Sequence, residues 1–273
     1  MIKKLLMICS FVVLLSTAVM AEESYPLRKT FPDCKPISTA ELIKAYDDAL
    51  IIDARFESEY DVVRIKNAVF YPAEKITKSG LDKIVKASNK KIIVFYCNGI
   101  TCPKSYEADK KALSFGYTNS YVYDDGIFDW IKSNSDEALF WGKPFTAASL
   151  KNFNQIQSAS KSVYLGTEAF LKKYKDEGYE LIDLREPFSQ ADFGKITMPK
   201  VKVITFDKIV DLMNKGNAKA IPDSKFLVVD NVGKQVGWLY YYLKKHDKTD
   251  FYFLKGGVKK WQEDGFDLSG EKK

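Results

Sequence analysis

Leu50-Ile51-Ile52-Asp53-Ala54-Arg55 is a short apolar run ending in Asp-x-Arg, and Glu180-Leu181-Ile182-Asp183-Leu184-Arg185 repeats it 130 residues later. Apolar runs of this length, bounded by charged residues, read as buried strands. Two more matches follow in the same order. Lys91-Ile92-Ile93-Val94-Phe95-Tyr96-Cys97 pairs with Lys225-Phe226-Leu227-Val228-Val229-Asp230. Tyr121-Val122-Tyr123-Asp124-Asp125-Gly126-Ile127-Phe128-Asp129-Trp130 pairs with Tyr252-Phe253-Leu254-Lys255-Gly256-Gly257-Val258-Lys259-Lys260-Trp261. The chain therefore reads as an internal repeat.

Helical patterns lie between these strands. Ser38-Thr39-Ala40-Glu41 is a capping box opening a helix to about Tyr46. Pro103 suits the first turn of a helix that runs to about Phe115 and closes at Gly116, and Gly237 to Lys245 continues an equivalent one. Strands alternating with helices imply an α/β fold, each half a parallel sheet covered by helices on both faces. From about Ser135 to Ser162 the pattern lapses, and Ser149 to Ser162 is rich in Ser, Asn, Gln and Lys. The expected divisions are a leader over 1–21, domains over 22–135 and 165–273, and a connector over 136–164.

The composition of the 273 residues is globular: 46% hydrophobic, 14% aromatic and 29% charged. A single histidine, His246, sets aside chemistries built on several histidines, and no metal or cofactor is expected. The formal charge is +6, yet only four of the 42 basic residues are arginine and the lysines are interleaved with 36 acids. That distribution is a solvated surface and not a nucleic-acid patch. At the start, Lys3 and Lys4 precede the apolar run Leu5–Leu15, and Val19-Met20-Ala21 suits cleavage after Ala21. Export to the periplasm or beyond, with no stable membrane partner, is the expectation; an uncleaved anchor is the alternative. Cys9 falls within the leader. Cleavage would leave three cysteines, Cys34, Cys97 and Cys102, in an oxidising compartment, and an odd number cannot be fully paired within one chain. Cys34, near the mature N-terminus, is expected to be a peripheral thiol.

These motifs resemble those of the tandem rhodaneses, which are two-domain sulfurtransferases. The resemblance rests on Asp53-Ala54-Arg55 with Glu59-Tyr60, a strand ending in Cys97, and Gly126…Trp130. It recurs in Asp183-Leu184-Arg185-Glu186-Pro187, Gly194-Lys195-Ile196 and Gly256-Gly257…Trp261. It implies that Cys97 is the catalytic cysteine, and that Asp53–Arg55 and Asp183–Arg185 serve as structural ion pairs, with Arg55 alternatively lining the substrate approach. Asp230 stands at the cysteine's position in the second half, and a carboxylate cannot carry a persulfide, so that half is expected to be inactive. Val63-Arg64-Ile65 and Gly194-Lys195-Ile196 stand where the family usually has Gly-His-Ile.

The loop Cys97-Asn98-Gly99-Ile100-Thr101-Cys102-Pro103-Lys104 joins a buried strand to a helix N-terminus. Asn98, Gly99, Ile100, Thr101, Cys102 and Lys104 are the expected anion cradle, with inward amides reinforced by the helix dipole. Cysteines in such surroundings reach pKa values of about 3.5–7.5. Cys97 would then take sulfane sulfur from a small anion such as thiosulfate or polysulfide and pass it to a thiol or to cyanide. A structural Cys97–Cys102 disulfide is the alternative. A phosphatase needs Cys-x5-Arg, and Pro103 stands in the arginine's place. From Cys97 to Asp125 is 28 residues, against 26 from Asp230 to Gly256, so the first loop region is longer by two and contains Cys102. Cys102 is read as a resolving thiol or as a packing residue. A thiol–disulfide oxidoreductase or redox sensor using both cysteines, and a non-catalytic binding module, stand beside the sulfurtransferase.

Overall fold

Every residue of Ala49–Asp53 is buried, and so are four of the five in Ile92–Tyr96, as strands covered on both faces require. The computed structural model describes residues 25–273; the expected leader over 1–21, with Cys9, lies outside them. The chain divides between Thr146 and Ala147 into two units.

The strands of the first unit are β1 (Ala49–Asp53), β2 (Val63–Ile65), β3 (Val69–Phe70), β4 (Ile92–Tyr96), β5 (Ser120–Tyr123), β6 (Ala138–Phe140) and β7 (Lys143–Pro144). Its helices are α1 (Leu27–Thr30), α2 (Thr39–Ala45), α3 (Glu57–Val62), α4 (Lys78–Ser88), α5 (Lys104–Ser114) and α6 (Gly126–Asn134). The main sheet runs β3-β1-β4-β5, parallel throughout. Pro36 extends it by a parallel bridge to Val122. Ser38 caps α2 in the expected box, its amide donating to Glu41 Oε2 at 2.9 Å. Leu50, Ile52, Ile93 and Phe95 pack with Leu81 and Ala108 in a core beside the sheet.

The second unit holds α7 (Ala147–Ala159), β8 (Tyr164–Leu165), α8 (Thr167–Glu177), β9 (Glu180–Asp183), α9 (Pro187–Phe193), β10 (Val201–Val203), α10 (Phe206–Asn214), β11 (Phe226–Val229), α11 (Gln235–Lys245), β12 (Phe251–Leu254) and α12 (Gly257–Glu263). Its sheet order, β10-β9-β11-β12-β8, repeats the first with one strand added at the edge. Both units are thus parallel sheets flanked by helices. The tryptophans of the repeat are equivalent as well: buried Trp130 donates its indole N–H to Glu137 O at 3.0 Å, and buried Trp261 to Asp267 O at 2.7 Å.

The stretch expected as a connector, 136–164, is structured. β6 and β7 complete an antiparallel three-stranded sheet with β2, and α7 occupies thirteen of the following residues. Strands of two or three residues are too short to show a period. α7 buries only Phe153, with Leu150 and Ile156 partly so, an apolar stripe too narrow to mark a core helix among the Ser, Asn, Gln and Lys around it. Among the described residues, no helix is long and apolar enough to cross a membrane.

Candidate active site

Cys97 follows directly on β4, second from one edge of the parallel sheet, at the carboxyl end where open α/β sheets gather their sites. It is 1% exposed. Its carbonyl accepts the Ile127 N–H at 3.0 Å, which ties the strand end to the first turn of α6. Gly126, with φ +74°, forms the floor. A Cβ there would lie 2.6 Å from Gly99 Cα, so any side chain would push the loop away. The Cys102 N–H donates to Gly99 O at 2.9 Å and turns the loop back over Cys97 before α5 begins.

A buried polar frame fixes the loop's first residue. Arg55, wholly buried, holds Asp53 with Nε at 2.9 Å and Nη2 at 2.6 Å, and its Nη2 also donates to Val63 O at 2.6 Å. Burial and the Asp53 carboxylate push the Tyr96 phenol upward, which keeps it a proton donor to Asp53. Arg55 Nη1 donates to Asn98 Oδ1 at 3.2 Å, and Asn98 Nδ2 donates to Glu59 Oε1 at 2.6 Å. The Asn98 side chain is therefore a brace between Arg55, just past β1, and Glu59 of α3. The Lys104 ammonium sits 3.9 Å from Glu59 and 3.5 Å from Glu74, over the Phe56 ring. Burial draws its pKa down against the pull of those carboxylates. Its charge, expected to serve the cradle, is thus shared with two acids. Ile100 is 42% exposed and Thr101 also lies on the outer rim.

Cys97 and Cys102 are joined as a disulfide, with Cα atoms 6.1 Å apart. Cys102 is half-buried and so the more exposed residue of the pair. Cys34, expected at the periphery, is instead buried; its Sγ faces Tyr106 O at 3.7 Å. Burial, with Asp109 beside it, pushes its thiol up to about 12. The packing of Leu27 and Phe31 over Tyr106 encloses it, a contact that spacing along the chain does not reveal.

The second unit carries the same frame with another occupant. Arg185 holds Asp183 at 2.8 Å through both Nε and Nη2, and the Val258 N–H donates to Asp230 O at 2.9 Å. Asn231 Nδ2 donates to Ser189 Oγ at 2.9 Å, where Asn98 uses Glu59. Asp230 Oδ2 accepts the N–H of Gln235 at 2.7 Å and of Val236 at 3.4 Å, and Oδ1 accepts that of Gly233. The loop's amides are thus occupied by the chain's own carboxylate, whose pKa burial raises against these donors. α5 begins seven residues after Cys97 and α11 five after Asp230, so the two extra residues fall inside the loop that contains Cys102. Glu59 appeared in the sequence only as part of a motif. The recurrence of Asn immediately after both Cys97 and Asp230 is the signal that points to its brace.

Comparison with known proteins gives the following. Residues 38–133 match the family model of the rhodanese-like domain. A tRNA uridine(34) hydroxylase of Hamiltonella defensa subsp. Acyrthosiphon pisum (strain 5AT) is 28% identical over 124 residues, 40% of this chain and 34% of that protein. One from Erwinia tasmaniensis is 29% identical over 117 residues, 40% of this chain and 33% of that protein. The chain spans about a third of the length of these relatives. A solved structure of thiosulfate sulfurtransferase from Pseudomonas aeruginosa aligns with 84% of this chain and 44% of its own, at 14% identity and a TM-score of 0.35. The matched stretch, residues 38–133, runs from the cap of α2 through the loop of Cys97 to α6, so the likeness to a rhodanese-like domain lies in the first unit.

Proposed function

We propose that the protein is a sulfurtransferase that carries sulfane sulfur on Cys97 between a small anionic donor, of the thiosulfate or polysulfide type, and a thiol or cyanide acceptor. The observation that carries this reading is the placement of Cys97: a buried sulfur at the end of β4, under a short loop that leads into α5 and rests on Gly126. Amides in such a loop and the N-terminus of a helix favour an anion, either a thiolate or its donor. An external thiolate first opens the disulfide by attacking Sγ of Cys102, the less buried residue, and the Cys97 thiolate leaves. A second thiol resolves the mixed disulfide and frees Cys102. The Cys97 thiolate then attacks the outer sulfur of thiosulfate; the S–S bond of the donor breaks, sulfite departs with the electron pair, and a persulfide remains on Cys97. Asp230 has no such chemistry, so the second unit is read as a non-catalytic member of the same fold. The 21 residues at the start support export.

A second reading, a thiol–disulfide oxidoreductase, is favoured by the Cys97–Cys102 disulfide itself. The tRNA named for the relatives is not carried over, because the chain matches only a third of their length. Sulfite separates the first two readings. Reduced protein mixed with thiosulfate should release one sulfite per chain, and Cys97→Ser none. A chain that yields no sulfite, yet loses two hydrogens reversibly with a dithiol couple, is an oxidoreductase.

A further inference from the structure

We infer that Cys102 is a second catalytic residue that reduces the transferred sulfur, giving the protein a sulfide-releasing activity. The inference rests on the sulfurtransferase reading and goes beyond it. Cys102 Sγ is bonded to Cys97 Sγ, and the Cys97 Sγ atom is the inner sulfur of any persulfide formed there. The loop therefore already delivers Cys102 to the atom it would attack. The Cα separation of 6.1 Å falls within the range a disulfide spans without moving the backbone. The turn that brings Cys102 back, closed by its N–H on Gly99 O, lies in the loop that is two residues longer than its counterpart. In the second unit the shorter loop has neither cysteine and its amides are filled by Asp230. The extra length and the second thiol thus occur together, in the unit that has a nucleophile.

The step balances without an outside oxidant. The Cys102 thiolate attacks the inner sulfur of the Cys97 persulfide. A Cys97–Cys102 bond forms, the bond to the outer sulfur breaks, and that sulfur leaves with the electron pair as hydrosulfide. Over one turnover the protein dithiol and thiosulfate become the protein disulfide, hydrosulfide and hydrogen sulfite. The two electrons come from the dithiol, and an external dithiol reductant restores it. Cys34, enclosed and held as a thiol, stays outside the exchange.

The test uses the full-length protein, reduced with dithiothreitol, freed of reductant and mixed with thiosulfate. Evolved sulfide, protein-bound sulfane sulfur and intact mass are followed over time. Wild type should release one sulfide per chain while its mass settles two hydrogens below the reduced protein. Cys102→Ser and Cys102→Ala should each hold the extra sulfur, with a persulfide lifetime longer by about tenfold or more, since an intramolecular thiol is lost. Equal persulfide lifetimes and equal sulfide release in wild type and both variants would overturn the inference and leave the sulfurtransferase standing. No sulfite and no bound sulfur in any of the three would sink the sulfurtransferase and the inference together.

Discussion

At the scale of single residues, the two units hold different groups in one frame, and substitutions should separate their roles. Cys97→Ser should abolish thiosulfate-dependent cyanide turnover. Asp230→Ala should leave most of that turnover intact, yet orphan the buried N–H groups of Gly233 and Gln235. A loss of about 1–3 kcal/mol in the second unit is expected from those unpaired donors. Turnover assays and thermal unfolding measure the two effects; equal damage to turnover by both substitutions, with the fold intact, would contradict the assignment. Gly126 permits a sharper comparison. Both Gly126 and Gly116 adopt positive φ, but a Cβ at Gly116 meets nothing within 4 Å, whereas one at Gly126 meets the loop backbone. Gly116→Ala should cost about 1 kcal/mol of stability and spare sulfur loading. Gly126→Ala should cost sulfur loading as well, because the floor of the loop is displaced. If both variants load sulfur alike, backbone strain is all that Gly126 relieves.

At the scale of elements, the strands and helices of the repeat were legible because burial on both faces demands continuous apolar runs, and caps announce helix starts. Ile92–Tyr96 and Ser38–Glu41 are such cases. β6 was not legible, since Ala138, Leu139 and Phe140 gain meaning only against Val63–Ile65, more than seventy residues earlier. The geometry of the site was partly legible: the place of Cys97 at a strand end and the Asp53–Arg55 ion pair could be read, but the turning of Lys104 toward Glu59 and Glu74 depends on where α3 packs. α5 also carries a pH effect that sequence does not suggest. Asp109, wholly buried on it, lies beside Cys34 and Ser120, whose own protons go to the carbonyls of Tyr106 and Tyr117. Burial raises its pKa above the ordinary 3.8. The folded state then holds a proton that the unfolded chain has released. The Asp109 contribution to stability is accordingly intact below the ordinary aspartate range and lost as pH rises through the raised value. Asp109→Asn should stabilise the protein at neutral pH, and the gain should shrink as pH falls into the ordinary aspartate range. Thermal midpoints of both proteins across this range decide it, and a gain independent of pH would show that charge is not the cause.

At the scale of the whole molecule, the repeat of Asp-x-Arg at 130 residues was enough to foresee two similar units, because a buried arginine needs its carboxylate wherever the pattern recurs. Each unit has its own sheet and its own core: one is built around Ile52, Phe95 and Leu81, the other around Leu181, Leu227 and Trp261. Each can therefore unfold as a cooperative unit, and heating should give two transitions. The Cys97–Cys102 disulfide closes a loop inside the first unit, with a sequence separation of five. A loop that short is worth about 2 kcal/mol by restriction of the unfolded chain. Reduction should lower one transition by several degrees, while Asp230→Ala should lower the other. Calorimetry of wild type, reduced wild type and Asp230→Ala assigns each transition to a unit. The transition moved by reduction should be the one that also moves when reduced protein is loaded from thiosulfate, since sulfur enters at Cys97. A single transition, or two that shift together under both treatments, would mean that the units fold as one, and the second would then support the site of the first through its stability.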